Sequence, residues 1–523
     1  MTMGLFLLGC GAGPPTAEVS DSLRSRVSAK AARSEILLEP GAVERFYRAR
    51  EFRPAWNKND YSQIVVAIQG ISADGLTPSH YHLEAIESLG KGTDRLTSAS
   101  AAADLDLLLT DAVAGMIDHL RYGKVKPSSL NASWNVDLRK DAPPLEGEIA
   151  KVAGGGSLAR AIGNERPQHF IYRGLMDALA RLRQQIAAGG WQPVPDGKAI
   201  KPGAIDRRIP AIRARLRASG DLAAGGRDST RYDPALVKAV KAFQEGHRQN
   251  PNGVIDADVV AAMNVSAEER ANQVRVNLER ARWVLNGLGE DFLLVNLPAF
   301  KAYLIRGGRN VWESRTQIGD EAMQTPTFRA EMKTIVLNPD WTVPPTILAE
   351  EVLPAMQRGE NYLEQKKLVV LDASNQEVDP KSIDWQNATP QTFPYTLRQP
   401  PDDENALGKV KFLFPNPYSI YLHDTPARTL FTAERRTFSH GCIRIEHPVE
   451  LAQLLLQGQS GWDAERIQKT IDSGDKVDIN LEHTLPVLIV YWTVSVGASG
   501  VHTNEDSYHL DAPLLAALNA PPR

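Results

Sequence analysis

The residues in this sequence best suited to chemistry lie in one short segment, Ser439-His440-Gly441-Cys442-Ile443-Arg444. A thiol of ordinary pKa, about 8.5, is only partly ionised at neutral pH. A neighbouring imidazole can take its proton, and nearby cations stabilise the thiolate that remains. His423, His440 and Arg444 are all close to Cys442 in sequence and supply those groups. Gly441 lets the backbone approach a substrate carbonyl closely. The amides of Gly441 and Cys442 then suit an oxyanion hole. Two other readings of the same residues stand beside this one. Cys442 as a buried structural cysteine needs an apolar setting, and its neighbours are polar. A zinc site made of His423, His440, Cys442 and His447 needs a spacing that matches no familiar zinc module. No metal and no cofactor is therefore expected.

The elements that must position these groups follow from periodicity. Ser419 to His423 alternates, so Tyr421 and His423 face one way while Ile420 and Leu422 face the other. Asp424-Thr425-Pro426 ends that strand, and a loop with Arg428, Arg435 and Arg436 leads back to Cys442. Pro448 opens a helix with Leu451, Leu454 and Leu455 on one face. Strand-like runs begin near 291: Phe292 to Leu297, Phe300 to Arg306, Val311 to Ile318, Thr334 to Asn338, Lys409 to Phe414 and Leu485 to Val496. They predict a mainly antiparallel sheet. Residues 346–407 interrupt it with helical and irregular sequence, which fits an inserted lid.

The rest of the chain is read as support. Of its 523 residues 42% are hydrophobic, enough for several cores and too many for wholesale disorder. Lys plus Arg total 59 against 63 Asp plus Glu, a net charge of −4, which speaks against a nucleic-acid partner. No run of about 20 apolar residues is present to cross a membrane as a helix. Leu7-Leu8-Gly9-Cys10 resembles a bacterial lipoprotein export signal with Cys10 as the lipidated residue. Its apolar core is shorter than the usual roughly seven to fifteen residues, and no Lys or Arg precedes it. Gly11 after the cysteine suits outer-membrane association. Residues 1–36 are read as signal and tether, and 37–199 as a helical scaffold. The mixed charges of Asn277 to Trp283 read as a solvated helix face.

Residues 200–266 contain the run Ala239 to Gln244, then Asn252-Gly253-Val254-Ile255 and a closing Met263-Asn264. They resemble the three-helix peptidoglycan-binding domain. The catalytic segment resembles the YkuD-type L,D-transpeptidase domain, whose signature is a His, about fifteen residues, then Ser/Thr-His-Gly-Cys-x-Arg/Asn. Fifteen residues separate His423 from Ser439. Gly319, Thr325-Pro326-Thr327, Asn338 to Trp341, Asn405 to Gly408 and Phe412 to Asn416 resemble further blocks of the larger, YcbB-like branch. Asp402-Asp403 departs from it, being acidic where the branch usually carries a Gly.

The resemblance implies an α+β multidomain enzyme with a catalytic domain over 267–496 and a C-terminal tail over 497–523. It implies that Cys442 attacks the third-residue carbonyl of a peptidoglycan tetrapeptide stem and releases D-Ala. An acceptor amine then resolves the thioester into a 3→3 cross-link. His423 becomes the general base, oriented by the Asp424 carbonyl. Tyr421 joins Gly441 and Cys442 at the oxyanion, Arg444 pairs with a substrate carboxylate, Trp341 lines the donor groove and His440 supports the loop. The periplasm or cell envelope is the implied compartment. Hydrolysis of the same bond, attachment of an envelope lipoprotein, and a non-catalytic anchor remain as alternatives.

Overall fold

The computed structural model describes residues 15–91, 98–130, 138–140, 142–154, 158–223, 229–497 and 500–522. Cys10 and the export-signal motif lie outside the described residues. Two compact units emerge, one made of 1–288 with 492–523 and the other of 289–491.

The first unit is helical. Its long helix Ala99–Tyr122 is buried on nearly every side, which fits its run of Ala and Leu. The helix Thr16–Ala29 packs on it through Val19, Leu23 and Val27. This corrects the tether reading. Three apolar residues four apart are a thin stripe in a polar segment, yet the stripe suffices once a neighbour covers it. The helix Ala267–Leu285, grouped by sequence with the catalytic region, belongs to this unit instead.

A second correction concerns the charges of that helix. Glu279 and Arg282 are fully buried and paired. Arg282 also donates to the Tyr172 hydroxyl at 2.8 Å and the Asp74 carbonyl at 2.9 Å. Glu279 accepts from the Val125 amide at 2.6 Å. Mixed charges can sit inside when they pair with one another and with neighbouring polar groups.

The supposed C-terminal tail is structured as well. Val494–Gly497 pairs with Gly500–Thr503, and the helix Asp511–Asn519 follows. Thr493 accepts from Asn277 and donates to Asp511, which also pairs with Arg280.

Within the first unit, the helices Ile209–Ser219, Pro234–Gly246 and Ala257–Asn264 share their own core around Phe243, Val240 and Ile212. Asp233 caps the middle helix by accepting from the Leu236 amide, with Pro234 following it. The Gln244 amide nitrogen bonds the Asn252 side chain and the Val254 carbonyl, while its oxygen accepts from the Gly253 amide. That clamp holds the turn in which Gly253 has φ +75°.

The second unit is a nine-stranded sheet in the order Thr437–Ser439, Arg309–Gly319, Ile443–Ile445, Leu422–His423, Val410–Leu413, Phe328–Leu337, Val477–Val490, Phe292–Asn296, Lys301–Arg306. Lys301–Arg306 also pairs with Arg309–Gly319, so the pairing closes on itself. Most neighbours are antiparallel, as expected. Parallel pairs join Leu422–His423 to Ile443–Ile445, Arg309–Gly319 to Thr437–Ser439, and Phe292–Asn296 to Val477–Val490, so the sheet is mixed. The run Leu485 to Val496, read as one strand, is divided between the units at 491/492.

The insertion is a small folded body. Trp341–Thr342, Thr396–Gln399 and Val369–Leu371 form a three-stranded sheet over a core of Val343, Val352, Leu363, Leu368, Val370 and Leu397. The unexpected acids pair with lysines, Asp402 with Lys367 at 2.7 Å and Asp403 with Lys409 at 2.6 Å.

Candidate active site

The site is assembled by strand register. Lys411 lies directly across from His423, His423 across from Arg444, and Arg444 across from Gln317. Directly paired residues project to the same face. Four polar side chains therefore form one row across four strands, with the imidazole between two cations.

The turn before His423 is set by Asn416. Its side-chain nitrogen donates to the Phe414 and Ile420 carbonyls, both at 2.7 Å, and its oxygen accepts from the amides of Tyr418 and Ile420. Ser419 consequently takes φ +56°. Tyr421 and His423 then face the same way, with ring centroids 5.6 Å apart. His423 Nδ1 meets the Asp424 carbonyl at 2.5 Å. A carbonyl only accepts, so Nδ1 carries the proton and Nε2 is left as the acceptor. Burial, then Arg444 and Lys411, holds the His423 pKa down to about 3.

Asp424 is nearly inaccessible and is held by the amides of Lys409 and Thr425 and by Arg428. Burial raises its pKa. It contributes its carbonyl to His423 and its carboxylate to the frame. Gly408 is required beside it, because a Cβ there would come within 2.4 Å of the carboxylate.

Around Cys442, Gly441 has φ +106°, a conformation that L side chains rarely adopt. Its carbonyl accepts from Thr325 Oγ1 at 2.8 Å, and the same hydroxyl accepts from the Gly319 amide at 2.9 Å. Its amide donates to Ser439 Oγ at 3.2 Å, and Ser439 Oγ donates to the Cys442 carbonyl at 2.5 Å. The Gly441 amide, expected at the oxyanion, is thus already engaged within its own loop.

Cys442 Sγ is 3.8 Å from the Ser419 carbonyl, and Tyr421 offers the sulfur both its amide and its hydroxyl. Among the described residues, His423 is not a hydrogen-bond partner of the thiol. Burial raises the thiol pKa, against the lowering effects of Tyr421, Lys411 and Arg444. Tyr421 is pushed well up by burial and by Cys442, and its hydroxyl also bonds the Trp341 side chain. Trp341 therefore joins the site to the inserted sheet. Burial lowers the Arg444 pKa; its Nη1 reaches Gln317 at 3.2 Å, and its buried Nε has no hydrogen-bond partner among the described residues. His440 points away from this row and meets Glu351 of the insertion at 3.2 Å.

Sequence spacing identified Cys442, His423, Tyr421 and Arg444 as neighbours, and the structure brings them together. It missed Lys411, whose signal is nonlocal register rather than a motif, and Thr325 and Asn416, whose roles are to hold loops.

Comparison with known proteins follows the same division. Residues 290–479 match the family model described as the L,D-transpeptidase catalytic domain. The chain carries an L,D-transpeptidase catalytic domain. Residues 207–263 match a model described as "Putative peptidoglycan binding domain", and 41–179 match the scaffold domain. A curated Haemophilus influenzae protein described as "Putative L,D-transpeptidase" is 34% identical over 228 residues, which are 43% of this chain and 46% of that protein. The chain therefore matches about half the length of that relative. Among solved structures, an L,D-transpeptidase from Xylanimonas cellulosilytica is 13% identical with a TM-score of 0.18, covering 57% of this chain and all of that one. A fused amidase/peptidase and peptidoglycan-binding protein from Clostridium acetobutylicum is likewise 13% identical, with a TM-score of 0.16, covering 56% of this chain and all of that one. Among the described residues no helix is long and apolar enough to cross a membrane.

Proposed function

We propose that this protein is a cysteine-dependent peptidoglycan L,D-transpeptidase. Cys442 attacks the carbonyl of the third residue, meso-diaminopimelate, of a tetrapeptide donor stem. The C–N bond to D-Ala breaks, and the leaving amine takes a proton that water supplies through His423. A side-chain amine of an acceptor stem then attacks the thioester, gives up a proton through His423 to water, expels the thiolate and forms a 3→3 cross-link.

The observation that carries this reading is the arrangement around the sulfur. Tyr421 directs an amide and a hydroxyl at Cys442, while His423 is fixed by the Asp424 carbonyl with Nε2 as its proton acceptor. Oxyanion stabilisation falls to the Cys442 amide and the Tyr421 hydroxyl, because the Gly441 amide is occupied. The unpartnered Nε of Arg444 suits a substrate carboxylate. Residues 200–266 are read as a domain that gathers the same polymer, and Cys10 as a lipid anchor in the cell envelope.

Intact-mass analysis after exposure to a carbapenem tests the nucleophile. One adduct per chain, localised to Cys442 and lost in Cys442→Ala, is expected. A folded, reduced protein that forms none would overturn the assignment. Incubation with tetrapeptide-bearing muropeptides tests the outcome: dimers support the transferase, and free tripeptides alone identify a hydrolase.

A further inference from the structure

The cation of the polar row that no sequence motif marks is Lys411. It sits on Val410–Leu413, directly across from His423, with Nζ 4.1 Å from the centroid of the Tyr421 ring. The hydroxyl of that ring bonds Cys442. Lys411 is half-buried and makes no salt bridge within 4 Å among the described residues. Of the carboxylates acting on it, Asp340 and Asp478, the stronger, Asp340, is taken up by Lys476 at 2.5 Å. A lysine sequestered from water with no carboxylate of its own is poorly placed unless an anion forms near it. Among the charges that favour the protonated lysine the Cys442 thiolate acts most strongly, and Lys411 in turn favours the thiolate.

We propose that Lys411, together with Arg444, supplies the positive charge opposite the Cys442 thiolate. This deepens the reading of Cys442 as nucleophile and rests on it. A cysteine paired with histidine usually relies on an imidazolium for that charge. Here the imidazole stands between two cations in the same row, where a third positive charge is disfavoured. The division of labour follows. On ionisation the S–H bond breaks, the electron pair stays on sulfur, and the proton passes through His423 Nε2 to water. The fixed charge that remains opposite the sulfur belongs to Lys411 and Arg444. The groups acting on Cys442 are Tyr421, Lys411 and Arg444, with the Ser419 carbonyl 3.8 Å from the sulfur; those acting on Lys411 are Cys442, Asp340, Lys476 and Asp478.

The test is the pH dependence of Cys442 alkylation by iodoacetamide in the full chain, followed by peptide mass analysis so that Cys10 does not contribute. Lys411→Met is expected to move the midpoint of the profile up by about one pH unit and to slow alkylation at pH 7 about tenfold. Lys411→Arg is expected to restore most of the rate. Lys411→Gln, which keeps a polar end, repeats the measurement if the Met variant folds poorly, folding being checked by circular dichroism. An unchanged profile in either folded variant overturns the proposal. So does a change confined to KM for a tetrapeptide donor, which makes Lys411 a substrate-binding residue. Alkylation needs no turnover, so loss of the transpeptidase reading, judged by muropeptide products, is scored separately.

Discussion

Thr325→Val probes how firmly the Gly441-Cys442 loop is held. The side chain is 2% exposed and nearly the same shape as valine, so the substitution removes the hydroxyl without opening a void. That hydroxyl joins the Gly319 amide to the Gly441 carbonyl at 2.9 and 2.8 Å. Leaving one buried polar group without its partner costs about 1–3 kcal/mol, and two groups are affected, so a loss of about 2–6 kcal/mol is expected. For a unit of this size that corresponds to a fall in melting temperature of roughly 4–24 °C. Gly441 is held in a conformation at φ +106°, and part of its restraint goes with the hydroxyl. Carbapenem acylation of Cys442 should therefore slow about tenfold or more, since each 1.4 kcal/mol of lost positioning is about a factor of ten. Thermal unfolding followed by circular dichroism gives the first quantity, and time-resolved intact-mass analysis gives the second. Thr325→Ser keeps the hydroxyl and should recover most of both. A valine variant within about 0.5 kcal/mol of the parent, acylated at the same rate, would refute the claim that this bridge sets the loop.

Three further outcomes follow from the same geometry. Because the folded-state pKa of His423 lies near 3, below its ordinary 6.5, its contribution to stability is complete above pH 6.5 and lost as the pH falls toward 3. His423→Gln, neutral throughout, should flatten acid unfolding in that window by up to about 1.4 kcal/mol per pH unit, and equal slopes for the two proteins would contradict the burial argument. Tyr421→Phe should slow acylation about tenfold to a hundredfold with little change in melting temperature, since it removes one donor at the sulfur. Arg282→Met leaves Glu279 buried and uncompensated and should destabilise the helical unit by about 3–5 kcal/mol in urea unfolding.

The readable part of the site was its local part. Cys442, Gly441 and Arg444 are consecutive or nearly so, and Tyr421 and His423 share a face by simple alternation. Lys411 was not readable, because its place depends on which strand pairs with Leu422–His423 and in what register. Thr325 was visible only as part of a resembling block, its task being set by a contact 116 positions away. The buried Glu279–Arg282 pair shows a different limit. Its charge pattern equals that of a solvated helix, and only the neighbouring Tyr172, Asp74 and Val125 reveal the difference. The strand run ending at Val496 was continuous in hydropathy yet serves two cores, and hydropathy carries no label for which core a residue joins.

That division has a temporal meaning. The helical unit is closed by residues synthesised after the whole catalytic unit: Thr493 and Asp511 satisfy Asn277 and Arg280, and the carbonyls of Leu518 and Ala520 accept from Lys124. During translation the catalytic unit, contiguous from 289 to 491, has all of its strands before its host has its last helix. The sheet that carries Cys442 is therefore complete in sequence before the last described helix of the scaffold unit is made.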